Sequence, residues 1–188
     1  MGLAQTQEVL AQLYTNTDFR ERFFANPETV CVELGLSSDE AQKLAQLSVQ
    51  EVNIFANSLK WKRLGEVREL LPRTARALGK NFTALFWRYA QTYLPKGIKK
   101  HREDAIAFAN FIATVAEEEN LYPPWISDLV RYEKIWLLAY EPTSYLNICW
   151  FRYPIGITNP EGMKHQPTIA IWFRFSKQSQ LRHIVHSL

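Results

Sequence analysis

The residues that could make a catalyst are few and poorly placed for it. His101, His165, His183 and His186 are the only histidines, and Cys31 and Cys149 the only cysteines. His183 and His186 stand three apart, which on a strand points them to opposite faces. No cysteine or carboxylate pair completes a tetrahedral ligand set. There is no Gly-x-Ser-x-Gly, neither cysteine has an obvious histidine partner, and the 7 glycines do not gather into a phosphate loop. Glu117-Glu118-Glu119 reads as a solvated charge run. No catalytic residue, metal ligand or cofactor is therefore expected, and an enzyme with unannounced chemistry stays as a third reading.

Binding chemistry is better represented. Trp150-Phe151-Arg152 recurs as Trp172-Phe173-Arg174. Strand alternation groups Phe173 with Ile169, Ile171 and Phe175 as a core face, so Trp172 and Arg174 are expected to point the other way. Trp150 and Arg152 are expected to do likewise on a neighbouring strand. Two tryptophans and two arginines on one exposed face would suit a peptide, a carboxylate or a partner protein; a helix covering that face would instead make the tryptophans core.

Charge is strongly segregated beneath a net +3. From Met1 to Leu59 there are 3 basic and 8 acidic residues, from Lys60 to Arg102 12 and 2, from Glu103 to Glu141 2 and 8, and from Pro142 onward 5 and 1. The basic block is Lys60, Lys62, Arg63, Arg68, Arg73, Arg76, Lys80, Arg88, Lys96, Lys99, Lys100 and Arg102. It could form a phosphate-contacting face for nucleic acid. It could equally pair with the acidic segments on either side of it or with a partner protein, and this second reading is the one we favour.

The elements that position these residues follow from periodicity. Leu3 to Tyr14 places Leu3, Leu10, Leu13 and Tyr14 near one helical face. Thr17-Asp18 looks like a cap for Phe19 to Ala25, and Asn26-Pro27 opens a short helix through Val30 and Val32 that stops at Gly35. Ser37 and Glu40 have capping-box spacing for a helix carrying Leu44, Leu47, Val52 and Phe55 to about Lys60. Leu64 to Leu78 is helical with a break at Pro72. Aromatic and aliphatic stripes then predict helices over Phe82 to Leu94, His101 to Glu118 and Trp125 to Tyr140, with Tyr93, Trp136 and Tyr140 in the buried set. From Pro142 the period becomes two, predicting strands over Tyr145 to Tyr153, Thr168 to Phe175 and Leu181 to Val185. Gly156, Asn159-Pro160, Gly162 and Pro167 fall in a loop between the first two.

The expected fold is α+β: a helical domain over 1–141 (N-terminal helices 1–60, central core 61–141) and a small antiparallel sheet over 142–188. A sheet that small must pack on the helices. With 47% apolar and 22% charged residues the chain can bury a core. It lacks an apolar run long enough to span a membrane, its first residues do not resemble a signal peptide, and two buried, reduced thiols are expected. A cytoplasmic protein is expected, with no membrane partner.

Leu71-Pro72, Leu78-Gly79, Tyr89-Ala90, Tyr93-Leu94-Pro95, Phe108-Ala109-Asn110-Phe111, Pro124-Trp125-Ile126-Ser127-Asp128-Leu129 and Tyr132-Glu133 carry a resemblance. Over about Leu70 to Tyr140 the chain resembles a bacterial helical family labelled as a DNA-binding domain. That family includes partner proteins of iron-dependent enzymes that modify cysteine-containing precursor peptides, as in methanobactin biosynthesis. The resemblance implies a subunit that is not itself the catalyst. Such a subunit binds the iron enzyme and helps hold the peptide, partly through a C-terminal β portion. The expected function is thus an accessory subunit with a partner enzyme and a precursor peptide as ligands. A nucleic-acid-binding regulator using the basic block is the alternative.

Overall fold

The computed structural model describes residues 2–95, 100–155 and 164–188, with side chains from residue 4 onward. Lys96 and Lys99, the side chain of Leu3, and the loop positions Gly156, Asn159, Pro160 and Gly162 lie outside the described residues. The fold is α+β. Among the described residues it comprises helices α1 (Gly2–Thr15), α2 (Thr17–Ala25), α3 (Pro27–Glu33), α4 (Ser38–Ala45), α5 (Val49–Leu70), α6 (Pro72–Leu78), α7 (Lys80–Thr92), α8 (Lys100–Glu118) and α9 (Ile126–Ala139). Strands β1 (Leu146–Phe151), β2 (Thr168–Phe173) and β3 (Arg182–Ser187) follow. Two compact units divide the chain, Met1–Arg63 and Leu64–Leu188, and the division falls within α5. The sheet belongs to the same unit as α6 to α9.

In the first unit, Val9, Leu13, Phe19, Phe23, Val30, Cys31, Leu44 and Val52 form the core. The cap of α2 is Asn16, one residue before the predicted Thr17-Asp18: its Oδ1 accepts the Phe19 N–H at 3.0 Å. Buried Arg20 donates to the Leu13 carbonyl at 2.8 Å, meeting an acceptor left open at the end of α1. Gly35, at φ 71°, ends α3, and Ser37 with Glu40 forms the expected capping box. The helix expected to run from there to Lys60 is two helices. It stops at Ala45, and Ser48 accepts the Glu51 N–H at 3.3 Å to start α5, which continues unbroken to Leu70. Val32 and Phe55 are exposed, since each lies off the stripe that meets the core.

In the second unit, Phe82, Phe86, Phe108, Ile112, Ile126, Val130, Phe151 and Trp172 are fully buried together. Phe108 meets Phe82, Phe86 and Tyr89 with ring centroids 5.1–5.3 Å apart. Pro72 opens α6, and Gly79, at φ 54° and ψ −122°, makes the corner into α7, a conformation a side chain disfavours. Tyr140, expected in the stripe of α9, is exposed: it follows the last helical residue and sits beyond the packed stretch. The Tyr122–Pro123 bond is cis. The sheet is an antiparallel meander in the order β1-β2-β3, with Ile148 opposite Ile171 and Ile171 opposite Ile184.

Candidate functional site

Helix α9 is the element that places the sheet, and it does so through buried carboxylates and half-buried guanidiniums as much as through apolar packing. The Asp128 Oδ2 accepts the backbone N–H of Arg152 at 2.6 Å and of Tyr153 at 3.2 Å, fixing the chain as it leaves β1. Glu133 reaches the other way. Its carboxylate accepts the Arg73 and Thr74 N–H groups at 2.9 and 2.7 Å and the Thr74 hydroxyl at 2.6 Å. The Leu71 cap position supplies no side-chain hydrogen bond, so Glu133 caps α6 from a distance of 60 residues. Arg73 donates to the Ile155 carbonyl at 2.6 Å and lies over the Tyr132 ring. At the far end of α9, Arg102 donates to the Leu137 carbonyl at 3.0 Å and Arg174 to that of Ala139 at 2.6 Å. Two guanidiniums thus serve the helix end that favours positive charge. Asp128, Tyr132 and Glu133 are therefore structural ties.

The face of the sheet turned toward α9 carries Ala170, Trp172 and Phe151. Trp172 is fully buried, with ring centroids 5.4 Å from Tyr132, 6.0 Å from Trp136 and 4.8 Å from His183. Burial pushes the His183 imidazole pKa below its ordinary value. The burial of Trp172 overturns its expected exposure, and Arg174 is half-buried. Even-numbered residues of β1 pair with odd-numbered residues of β2, so Trp150, opposite Ile169, faces out while Trp172, opposite Asn147, faces in. The repeated Trp-Phe-Arg does not form one surface. Arg174 turns to the end of α9, and Arg152 is exposed in the bend after β1.

Of the four residues expected on the binding face, Trp150 alone lies on the outer face of the sheet, and it shares that face with Ile169, Ile171 and Phe173, which were expected in the core. Leu146, Ile148 and Trp150 of β1 are 59%, 64% and 53% exposed, and Ile184 of β3 is 53% exposed. Ile169, Ile171 and Phe173 lie between them, half-buried. Seven of nine outer positions are apolar; Arg182 and His186 of β3 complete the set. Phe175 is exposed beside it, under the Arg182 guanidinium. A contiguous apolar patch of this kind on a folded chain marks a contact surface more often than not.

The basic block is shared between the units: Lys60, Lys62 and Arg63 belong to the first, and Arg68 onward to the second. Several of its arginines are engaged within the chain. Arg68 donates to Thr83 at 2.9 Å, Arg73 and Arg102 serve α9, Arg88 grips Glu119 through two bonds of 2.6 and 3.1 Å, and Arg102 pairs with Glu141. The Arg88 guanidinium holds the Glu119 carboxyl below its usual range. Arg76, Lys80 and Lys100 remain on the second unit's helices. Among the described residues no group of three or more His, Cys, Asp or Glu side chains could hold a metal, and both cysteines are free thiols.

A family described as "SCO6045-like, C-terminal domain" matches residues 45–114. That stretch takes in α5, α6, α7 and most of α8, and ends before α9 and the sheet. Neither the curated proteins nor the solved structures compared include a match.

Proposed function

We propose that the chain is a non-catalytic accessory subunit that docks a partner enzyme on the outer face of its C-terminal sheet. The observation that carries this reading is the apolar grid centred on Ile148, Ile171 and Ile184, solvent-facing on a sheet whose other side is anchored to α9. Interfaces concentrate their binding energy in such apolar centres with aromatic members, here Trp150 and Phe173, ringed by polar groups. The resemblance over Leu70 to Tyr140 supports an iron-dependent peptide-modifying enzyme as the partner, a precursor peptide as a further ligand and a cytoplasmic setting. No described helix is long and apolar enough to cross a membrane.

The test is tagged capture from the source cells with nuclease present, comparing the native chain with Ile148→Glu/Ile184→Glu. The partner should be recovered stoichiometrically with the first and lost with the second, at unchanged circular dichroism. A folded variant that keeps the partner overturns the assignment. The nucleic-acid reading has less support, because Arg68, Arg73, Arg88 and Arg102 already have partners within the chain. It requires an affinity that falls steeply with salt.

A further inference from the structure

The second unit contains a cleft of ≈ 620 Å³ between the C-terminal end of α8, the α8–α9 connection, the first turns of α9 and the bend after β1. Its volume is that of a small-molecule site. Glu117, Asn120, Tyr122, Asp128, Arg131 and Arg152 are among its lining residues.

The charges in this cleft fall into two classes. Asp128 is committed to the backbone N–H groups of Arg152 and Tyr153, and its Oδ1 takes a 3.4 Å contact from Arg131. Arg131 is held from three directions, by Asp128, by the Cys149 sulfur at 3.3 Å and by the Phe151 ring at 5.6 Å. Its side chain is still 40% exposed, and a guanidinium has five N–H donors, more than these contacts use. Glu117 and Arg152 behave differently. They line the same cleft with opposite charges, yet among the described residues neither side chain has an ion-pair or hydrogen-bond partner, and they do not reach each other. The end of α8 reinforces the polarity, because Glu117 sits in its last turn, at the negative end of the helix.

We infer that this cleft binds a small zwitterion of the amino-acid type. Its carboxylate lies on Arg131 and Arg152, its ammonium lies on Glu117, and its side chain rests on the exposed Tyr122 ring. Arg131 is pre-positioned and Arg152 lines the same cleft, and guanidiniums grip a carboxylate by paired N–H donors. Two opposite charges kept apart in one cleft match a ligand that carries both. The sheet's outer face contributes none of the lining, so this site stands or falls independently of the docking surface.

The experiment is isothermal titration of the whole chain with three probes: L-phenylalanine, N-acetyl-L-phenylalanine, which keeps only the carboxylate, and L-phenylalaninamide, which keeps only the ammonium. L-phenylalanine should bind about tenfold or more tighter than either analogue. Arg152→Gln should weaken L-phenylalanine by about tenfold and leave L-phenylalaninamide unaffected, while Glu117→Gln should do the converse with the N-acetyl probe. Equal affinity for the three probes, no binding of L-phenylalanine at millimolar concentration, or variants that do not discriminate between the analogues would each overturn the assignment.

Discussion

The two faces of the C-terminal sheet differ in the direction opposite to intuition. The face packed toward α9 carries Asn147, Thr168, His183 and Ser187 beside Cys149, Phe151, Ala170, Trp172 and Val185, whereas the outer face is apolar at seven of nine positions. The more polar face is the one used internally. Thr168 is met by the Gln166 carbonyl and the Ser187 hydroxyl, and Asn147 by Ser144 at 2.7 Å, whereas the buried Nε2 of His183 and Nε1 of Trp172 have no hydrogen-bond partner among the described residues. Small Ala170 lies beside Trp172, which packs against Tyr132 and Trp136 of α9. What decides burial here is which face a helix can approach. Aliphatic content alone would choose the wrong one.

That comparison is sharpest if one face is broken at a time. Trp172→Ala should remove about 3–5 kcal/mol from the stability of the second unit, read by denaturant unfolding with near-ultraviolet circular dichroism. A near-neutral effect would mean the inner face is not the anchored one. Glu133→Ala should cost about 3 kcal/mol, because the part-buried Arg73 N–H, the buried Thr74 N–H and the Thr74 hydroxyl lose their acceptor together. A smaller, pH-dependent effect is expected at His183. With its folded pKa depressed by burial among Tyr132, Trp136 and Trp172, the unfolded chain takes up the proton first. Its contribution is present above an unfolded pKa of about 6.5 and declines as the pH falls below it. His183→Phe should flatten that part of the stability profile; an unaltered profile would show that the imidazole is not the group responsible. On the outer face, Ile148→Glu/Ile184→Glu should change stability by less than about 0.5 kcal/mol, measured by the same unfolding assay. A large loss there would mean that this face is covered.

Local signals in the sequence read well where the physics is local. The capping box of Ser37 and Glu40, the stop at Gly35, the proline opening of α3 and the break at Pro72 each depend on residues within a few positions of one another. The stripes of α7 and α8 read correctly through Phe82, Leu85, Phe86, Tyr89, Phe108 and Ile112, since a single apolar face has only one way to be buried, but Tyr93, expected to continue the first, follows the end of α7 and is exposed. The candidate site was much less legible. In β1 and β2 both faces carry apolar residues, so alternation says which residues share a face and not which face is inside. The parity that separates Trp150 from Trp172 comes from the register between strands, which neither strand contains. Asp128 and Glu133 give no local signal of their buried roles, because their partners, at 152–153 and 73–74, lie far away along the chain.

By itself, then, the sequence determined the α+β class, most helices, the three strands and the change of period near Pro142, since each follows from dihedral preferences and short-range spacing. Tertiary structure alone decided that α9 ties α6 to the bend after β1, that Trp172 is core, and that Leu146, Ile148, Trp150 and Ile184 are left facing solvent. Those outcomes depend on strand register and on helix approach, interactions between residues tens of positions apart that no local pattern encodes.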